Sequence, residues 1–144
     1  QPGDVLVVDG EGELTRALFG EIMMSVAKAK GAVAAVIDGA IRDVNAFEDA
    51  KFPCWARGIS LRGPYKEGPG TLNVPVSIGG LIINPGDIVL GDSDGVVAFS
   101  PKVALDVAQL GKEKVAQEVA TLKSIKEGSY NDSWIDGVLK QKGC

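Results

Sequence analysis

The chain has 144 residues, a net charge of −4, two cysteines and no histidine, so it is long enough for one compact domain with its own core. The lack of histidine excludes Ser-His-Asp and Cys-His catalysis, and two cysteines cannot form a structural zinc site, so a bound metal would have the oxygen ligands that Mg²⁺, Mn²⁺ or Ca²⁺ prefer. The absence of a basic stripe argues against phosphate contacts with nucleic acid, and no apolar run is long enough to cross a membrane.

The first third of the chain predicts a strand, a helix and a second strand. Residues 4–9 form a short apolar run after a Pro-Gly turn, and residues 10–12 read as a loop. From residue 14 to residue 30 apolar side chains recur at three and four residues, which predicts a helix that ends at Gly31. Residues 32–37 are continuously apolar, as in a strand covered on both faces. The order predicts a right-handed βαβ unit with a parallel strand pair.

The rest of the chain predicts a β-rich part followed by helices. A Pro-Gly-rich loop separates the two parts, and Pro101 is placed to open the long helix. The predicted elements are a helical turn over 44–50, a strand over 52–57, a loop over 58–70, β-structure over 73–99, a helix from 101 to about 127 and a short helix over 133–140. We expect an α/β fold in a single domain over residues 1–144.

A short pattern occurs twice, as "PGDVLVVDGEG" over residues 2–12 and "PGDIVLGDSDG" over residues 85–95. The simpler interpretation is two turn–strand–turn units, because Pro-Gly-Asp favours a turn and an aspartate at a strand end caps the next turn. Duplicated binding sites are the alternative. The pattern alone does not assign Asp87, Asp92 or Asp94 as ligands.

The stretch "DGAIRD" over residues 38–43 places Arg42 and Asp43 just after the apolar run. In a βαβ unit the loop before the helix and the end of the second strand lie at the same edge of the sheet, where ligands of α/β proteins bind. Arg42 suits a carboxylate or enolate oxygen. Asp43 and Glu21 suit a hard cation. A surface turn or a structural ion pair is the alternative for Arg42 and Asp43, and Glu21 is also favourable near a helix N-terminus.

A helix that starts near Gly20 would also offer an anion site. The first-turn amides of such a helix point outward without intrahelical partners. These amides belong to Gly20, Glu21, Ile22 and Met23.

The chain resembles the RraA-like family, which includes 4-hydroxy-4-methyl-2-oxoglutarate aldolases and related oxaloacetate decarboxylases. The resemblance runs from Pro2 to about Gly128 through "PGDVLVVDGEG", "FGEIMMSVAKAKGAVAAVIDGAIRDV" and "GPGTLNVPVSIGGLIINPGDIVLGDSDGVVAFSP". Its most diagnostic piece is an acid, twenty residues and Arg-Asp, present here as Glu21, Arg42 and Asp43. The resemblance implies a layered β/β/α fold of the swivelling-domain type, with C-terminal helices.

The resemblance also implies roles for individual residues. Asp43 would bind Mg²⁺ or Mn²⁺ directly, and Arg42 would bind the substrate near its keto oxygen. The amides from Gly20 to Met23 would hold a substrate carboxylate, and Glu21 would lie in the water shell of the metal. Glu118, on the C-terminal helix of a neighbouring subunit, would join that shell. A site of this kind requires an oligomer, and the family implies a homotrimer or hexamer.

The resemblance implies a metal-dependent lyase that forms pyruvate from 4-hydroxy-4-methyl-2-oxoglutarate, from oxaloacetate, or from both. Two alternatives stand beside it: a lyase for another α-keto acid, and a non-enzymatic protein that binds and inhibits a ribonuclease. The chain departs from the family where Glu21 replaces the usual aspartate and where Ala46 replaces a common acid. Both changes bear on the outer shell of the metal and hence on the substrate.

Cellular location and chain extent are also predicted from the sequence. Cys54 lies in the middle of the chain and Cys144 at its end, which is no disulfide framework. We therefore expect a reducing cytoplasm. No signal peptide is visible. The chain begins with Gln-Pro-Gly-Asp instead of Met, and the resembled family has a further segment before Pro-Gly-Asp, so we expect a part of a longer protein.

Overall fold

The computed structural model describes residues 1–68 and 70–143, which form two compact units. The first unit spans Gln1–Pro101 and the second begins at Lys102. The predicted α/β class is confirmed: a parallel sheet with a βαβ unit is followed by antiparallel hairpins and by helices. A single domain over the whole chain stays a prediction.

The first unit is built on a three-stranded parallel sheet in the order β1-β2-β3. The helix α1 connects the first two strands, and α2 connects the second to the third. The elements are β1 (Val5–Phe19), α1 (Glu21–Ala29), β2 (Ala34–Ile41), α2 (Val44–Asp49) and β3 (Cys54–Ile59). The parallel pair of the predicted βαβ unit is confirmed, as are the helical turn near residue 44 and the strand that follows it.

The helix predicted over residues 14–30 is wrong in its first part, because residues 14–19 belong to β1. The predicted loop over residues 10–12 also lies inside this strand. The chain bends there through two residues with positive φ, Glu11 at 54° and Gly12 at 71°. Such bulges let a strand change direction without ending its pairing.

The apolar spacing that resembled a helix is produced by the second half of this bulged strand. Ala17 and Phe19 are both buried and pair with Ala40 and Ile41 of β2. Their alternation then runs without a break into the helical pattern after Gly20. The two-residue period of the strand is followed at Gly20 by the 3.6-residue period of the helix, and the combined apolar pattern therefore predicted a single longer helix.

The core lies between the sheet and its two helices. Every residue of β2 is buried, which confirms the predicted buried strand for residues 34–37. The first two residues of the predicted run, Ala32 and Val33, lie before β2 and are not buried. Met24 of α1 and Phe47 of α2 pack into the same cluster. The Phe47 ring lies 5.9 Å from that of Phe19 and 6.4 Å from that of Phe52. This packing fixes both helices, and with them the two turns that follow β1 and β2.

The remaining elements agree with the predicted β-rich part and C-terminal helices. Two antiparallel hairpins are formed by β4 (Val76–Ile78) with β5 (Leu81–Ile83) and by β6 (Ile88–Gly91) with β7 (Val96–Phe99). In the second unit, α3 spans Ala104–Lys126 and α4 spans Trp134–Gln141. A 3₁₀ turn at Pro101–Val103 precedes α3. Within the described residues, no helix is long and apolar enough to span a membrane.

Candidate functional site

The junction of β1 and α1 brings helix amides to an aspartate on the next strand end. Gly20 caps α1 in an extended conformation, without a side-chain capping bond. The Glu21 amide donates a hydrogen bond to Asp43 Oδ2 at 3.1 Å. Among the described residues, the Ile22 and Met23 amides have no hydrogen-bond acceptor. The first turn of α1 therefore offers outward N–H groups beside the Asp43 carboxylate.

Arg42 and Asp43 directly follow the last residue of β2. The Asp43 oxygen that accepts the Glu21 amide also lies near the Arg42 side chain. Arg42 Nε lies 3.4 Å from Asp43 Oδ2. The Arg42 amide donates to the Phe19 carbonyl at 3.0 Å, which ties the end of β2 to the end of β1. Both side chains are near 40% exposed, at 40% for Arg42 and 42% for Asp43. The pair is thus held in place but open to a ligand.

The backbone of Asp43 adopts an unusual conformation. Its φ of 58° and ψ of 40° lie in the left-handed region, which few residues other than glycine adopt. Asp43 is also the N-cap residue of α2, and its carbonyl accepts the Ala46 amide at 2.9 Å. Non-glycine residues in this region concentrate at functional sites because the surrounding structure must hold them there.

Gly20 is required by the close approach of two segments. A Cβ atom added at this position would lie 2.8 Å from Asp43 Oδ2 and 2.9 Å from Arg42 Cγ. Real Cβ atoms do not come this close to other heavy atoms. A larger residue at Gly20 would therefore displace the Arg42–Asp43 pair.

An open cavity of about 650 Å³ lies in front of these residues. Its lining comes from segments that follow β1, β2 and β3. The lining residues are Glu21, Arg42, Asp43, Val44, Asn45, Ala46, Ile59, Ser60 and Leu61. The cavity thus sits at the carboxyl ends of three neighbouring parallel strands, where α/β folds bind their ligands. Ala46, which stands where the resembled family commonly has an acidic residue, is one of these lining residues.

The structure brings together most of the residues predicted from the sequence. Gly20, Glu21, Arg42 and Asp43 meet at one point, and the side chains of Ile22 and Met23 are exposed. Glu118 lies on α3 in the second unit, where Lys114 Nζ is 3.8 Å from its carboxylate. Its role as a group from a neighbouring subunit stays a prediction.

Sequence reasoning missed the contribution of β3 to the cavity. Ser60 and Leu61 were included only in a turn-rich loop over residues 58–70. A usable signal existed, since a third parallel strand brings its own carboxyl end to the same edge. Asp38 of "DGAIRD" was not distinguished from Asp43 either. It is buried and pairs with Arg57 Nε.

The repeated Pro-Gly-Asp pattern agrees with the turn interpretation in the hydrogen bonds it makes. Asp92 Oδ1 accepts the Asp94 amide at 2.8 Å and the Gly95 amide at 3.3 Å. Asp9 Oδ1 accepts the Glu11 amide at 3.1 Å in the first copy. Asp92 thus caps the turn between β6 and β7, whereas Asp9 binds the backbone of the bulge within β1.

The carboxylates at the cavity suit a hard cation that has only one or two protein ligands. Within residues 1–68 and 70–143, no group of three or more acidic or cysteine side chains is placed to hold a metal. Glu21 and Asp43 nevertheless both line the cavity, and Asp43 Oδ1 accepts no hydrogen bond from the described residues. One or two carboxylates with water and substrate oxygens are typical of Mg²⁺ sites.

Comparisons with known proteins give the same assignment as the motifs. The RraA-like family model, described as aldolase/RraA, matches residues 1–98. A protein of Halalkalibacterium halodurans named "Putative 4-hydroxy-4-methyl-2-oxoglutarate aldolase" is 40% identical over 126 residues. That alignment covers 88% of this chain and 60% of the relative, so the chain spans less than two thirds of that protein.

Two solved structures are similar in fold and sequence. An uncharacterized protein from Pseudomonas syringae pv. tomato superposes with a TM-score of 0.79 at 27% identity, covering 90% of this chain and 66% of that one. Streptomyces coelicolor RraAS2, described as an unusual member of the RNase ES inhibitor RraA family, gives a TM-score of 0.75 at 31% identity, covering 84% and 62%. With a family model that matches more than half of its residues, this chain belongs to the RraA-like family.

Proposed function

We propose that the protein is a divalent-metal-dependent lyase that cleaves 4-hydroxy-4-methyl-2-oxoglutarate to pyruvate, decarboxylates oxaloacetate, or does both. The observation that carries the proposal is the meeting of three groups at Asp43 Oδ2: its own carboxylate, the Glu21 amide and Arg42 Nε. An anion-binding helix turn, a fixed cation and an open carboxylate oxygen suit a small α-keto acid that chelates a metal. The relative from Halalkalibacterium halodurans supports the aldolase reaction by its name.

Different residues would bind different groups of the substrate and the metal. The amides of Ile22 and Met23 would bind the carboxylate next to the keto group, since they have no other acceptor among the described residues. Arg42 would face the C2 oxygen with a planar donor pair. Asp43 would hold Mg²⁺ or Mn²⁺ directly, while Glu21 and the Glu118 of a neighbouring subunit would bind its waters. When bound, the cation supplies Lewis-acid polarisation of the α-keto acid.

Bond cleavage then places charge where Arg42 lies. In the retro-aldol reaction the C3–C4 bond breaks and its electron pair forms the enolate of pyruvate. The 4-hydroxyl loses its proton to a water held by the Glu21 carboxylate, and C4 becomes the ketone of a second pyruvate. A proton returned from that water to C3 of the enolate completes the first pyruvate. The guanidinium of Arg42 stabilises the negative charge that develops on the C2 oxygen. Loss of CO₂ from oxaloacetate leaves the same enolate, so one site serves both reactions.

The assembly and location follow from the same proposal. A glutamate contributed by a neighbouring subunit requires an oligomer, for which we propose a homotrimer or hexamer. The partner molecule is a small α-keto acid, with no nucleic acid and no membrane involved. A reducing cytoplasm suits a chain whose two cysteines form no disulfide framework.

The proposal is tested by measuring pyruvate release from both substrates. The full-length protein is assayed with Mg²⁺ and then with EDTA, against a protein-free control, because oxaloacetate decays with metal ions alone. We expect metal-dependent pyruvate release above that control. The substrate that is converted faster identifies the main reaction of the protein. Absence of release from either substrate contradicts the proposal and leaves a lyase for another α-keto acid.

A second candidate function rests on the description of a relative. Streptomyces coelicolor RraAS2 is described as a member of an RNase inhibitor family. A protein of this kind would act by protein contact and would not need Arg42 or Asp43. Inhibition of RNA cleavage by an RNase E-type ribonuclease, unchanged in the Asp43→Asn variant, would favour this function over the lyase.

A further inference from the structure

One wall of the candidate site is held on β1 by a set of hydrogen bonds. We call residues 60–65, which follow β3, the site loop. Ser60 lines the cavity, and its hydroxyl donates to the Thr15 carbonyl at 2.8 Å. The Ala17 amide donates to the Arg62 carbonyl at 2.8 Å. The backbone on either side of Arg16 therefore binds the site loop.

Arg16 is the side chain that completes this attachment. Its Nη1 donates to the Gly63 carbonyl at 2.9 Å. Its guanidinium carbon lies 4.0 Å from the centre of the Tyr65 ring, a cation–π contact. One planar group thus holds two residues of the site loop at once, which an ammonium group could not do in the same way.

The site loop in turn lies against the guanidinium of Arg42. A Cβ atom added at Gly63 would be 3.1 Å from Arg42 Nη1, so this nitrogen lies on the side of Gly63 where a side chain would otherwise stand. Arg42 is otherwise held at Nε, 3.4 Å from Asp43 Oδ2. Gly63 therefore bounds the far end of a side chain that is 40% exposed and has room to move into the cavity.

We propose that Arg16 is a positioning residue of this site, which fixes the Gly63 backbone and through it the direction of the Arg42 guanidinium. The inference rests on the proposed function in that Arg42 serves a substrate oxygen. Arg16 contacts the loop and leaves the reacting atoms to Arg42. Small displacements of such a group are costly, since a misplacement of about 1 Å can lower a rate by roughly 10²-fold.

The test is a double-mutant cycle on Arg16 and Arg42. Arg16→Ala, Arg42→Ala and the double variant of the full-length protein are compared in kcat/KM for pyruvate release and in Kd for oxalate, an analogue of the pyruvate enolate. If Arg16 acts through Arg42, Arg16→Ala lowers kcat/KM about tenfold in the wild-type background and less than about twofold in the Arg42→Ala background. Additive losses overturn the inference, because they mean that Arg16 acts independently of Arg42.

Arg62→Ala is the matched control within the same loop. Among the described residues, the Arg62 side chain makes no hydrogen bond, ion pair or ring contact, yet it carries the same charge. We expect its kcat/KM to stay near that of the wild type and Arg16→Lys to recover part of the loss, since lysine keeps one donor for the Gly63 carbonyl. Equal losses in Arg62→Ala and Arg16→Ala overturn the inference in favour of a general charge effect.

The two readouts separate this inference from the proposed function. A wild-type protein that binds oxalate but releases no pyruvate contradicts the lyase proposal, while the oxalate cycle still decides the role of Arg16. A wild-type protein that releases pyruvate supports the lyase proposal, and the double-mutant cycle in kcat/KM then decides the role of Arg16. A wild-type protein that does neither overturns both.

Discussion

Two aspartate–arginine pairs have their aspartates within one short stretch of the chain and differ in almost every physical respect. Asp38 lies inside β2 with a side chain 6% exposed and pairs with Arg57, which is 49% exposed. Asp43 lies five residues later, beyond the strand end, and is 42% exposed beside an equally open Arg42. The first carboxylate is enclosed by the sheet, whereas the second faces a cavity.

The difference shows what separates a structural ion pair from a candidate site. Asp38 lies within β2, and its buried carboxylate pairs with the guanidinium of Arg57, since a buried charge without a partner is costly. Asp43 adopts a left-handed backbone that turns it out of the strand direction, next to the first turn of α1. One of its oxygens is bound and the other accepts no hydrogen bond from the described residues. The residue types are the same, and the backbone conformation separates the buried pair from the open one.

The largest effect is expected from Asp43→Asn. Replacing the open carboxylate by an amide removes the charge that would hold a divalent cation, so metal-dependent turnover should fall by about 10²-fold or more. Folding should be unchanged because the side chain is exposed. Pyruvate release and thermal unfolding check both expectations. Asp94→Asn, in the turn between β6 and β7, is the matched control, and full activity of Asp43→Asn would refute its assignment.

The two arginines should separate activity from stability. Arg57→Ala leaves the buried Asp38 carboxylate without its partner and should lower the free energy of unfolding by roughly 1–3 kcal/mol. Arg42→Ala should lose most of kcat while its stability changes by less than about 0.5 kcal/mol, as at an exposed site. Urea unfolding and steady-state kinetics of both variants provide the check. A change in KM alone for Arg42→Ala would argue against enolate stabilisation.

A smaller effect on the same pair is expected from Gly20→Ala. The added methyl group would lie 2.8 Å from Asp43 Oδ2, so the carboxylate and Arg42 must shift together. A displacement of a few tenths of an ångström should lower kcat/KM about tenfold. Gly111→Ala on α3 serves as control because its Cβ would meet no atom within 4 Å. Equal activities of the two variants would show that the close approach at Gly20 does not affect catalysis.

Much of the fold, and the proximity of the central residues of the candidate site, could be predicted because they depend on local patterns. The buried run of β2, the glycine after α1 and the spacing from Glu21 to Arg42 each lie within one βαβ unit. The bulged half of β1 could not be predicted, since the left-handed Glu11 has no sequence signature as a strand residue. Its pairing is decided by tertiary contact, as with Ala17 and Ala40.

The parts of the site that escaped prediction depend on distant residues. Arg16 and Gly63 are 47 residues apart, and Arg57 is 19 residues from Asp38. Sequence reasoning gave Arg42 and Asp43 a common role but had no means to separate Asp38 from Asp43. Burial and backbone conformation distinguish them, and the burial of Asp38 depends on the position of β2 between β1 and β3.

The last prediction concerns the reactivity of a thiol, outside the candidate site, and extends the contrast between enclosed and open groups. Cys54 begins β3 and lines an apolar groove beside α2. Burial raises the pKa of the Cys54 thiol to about 11, because the charged thiolate is disfavoured away from water. At pH 8, below this raised pKa, the thiol is almost entirely protonated. Its alkylation should then be about a hundredfold slower than that of free cysteine.

The measurement is iodoacetamide labelling of a Cys144→Ser variant, which has Cys54 as its single cysteine. Labelling should accelerate as the pH rises towards 11, because the thiolate fraction then increases. It should also become fast at pH 8 once urea unfolds the chain and exposes the thiol to water. Fast labelling of the folded protein at pH 8 would mean that Cys54 is open to solvent like Asp43, and that the groove beside α2 is as accessible as the candidate site.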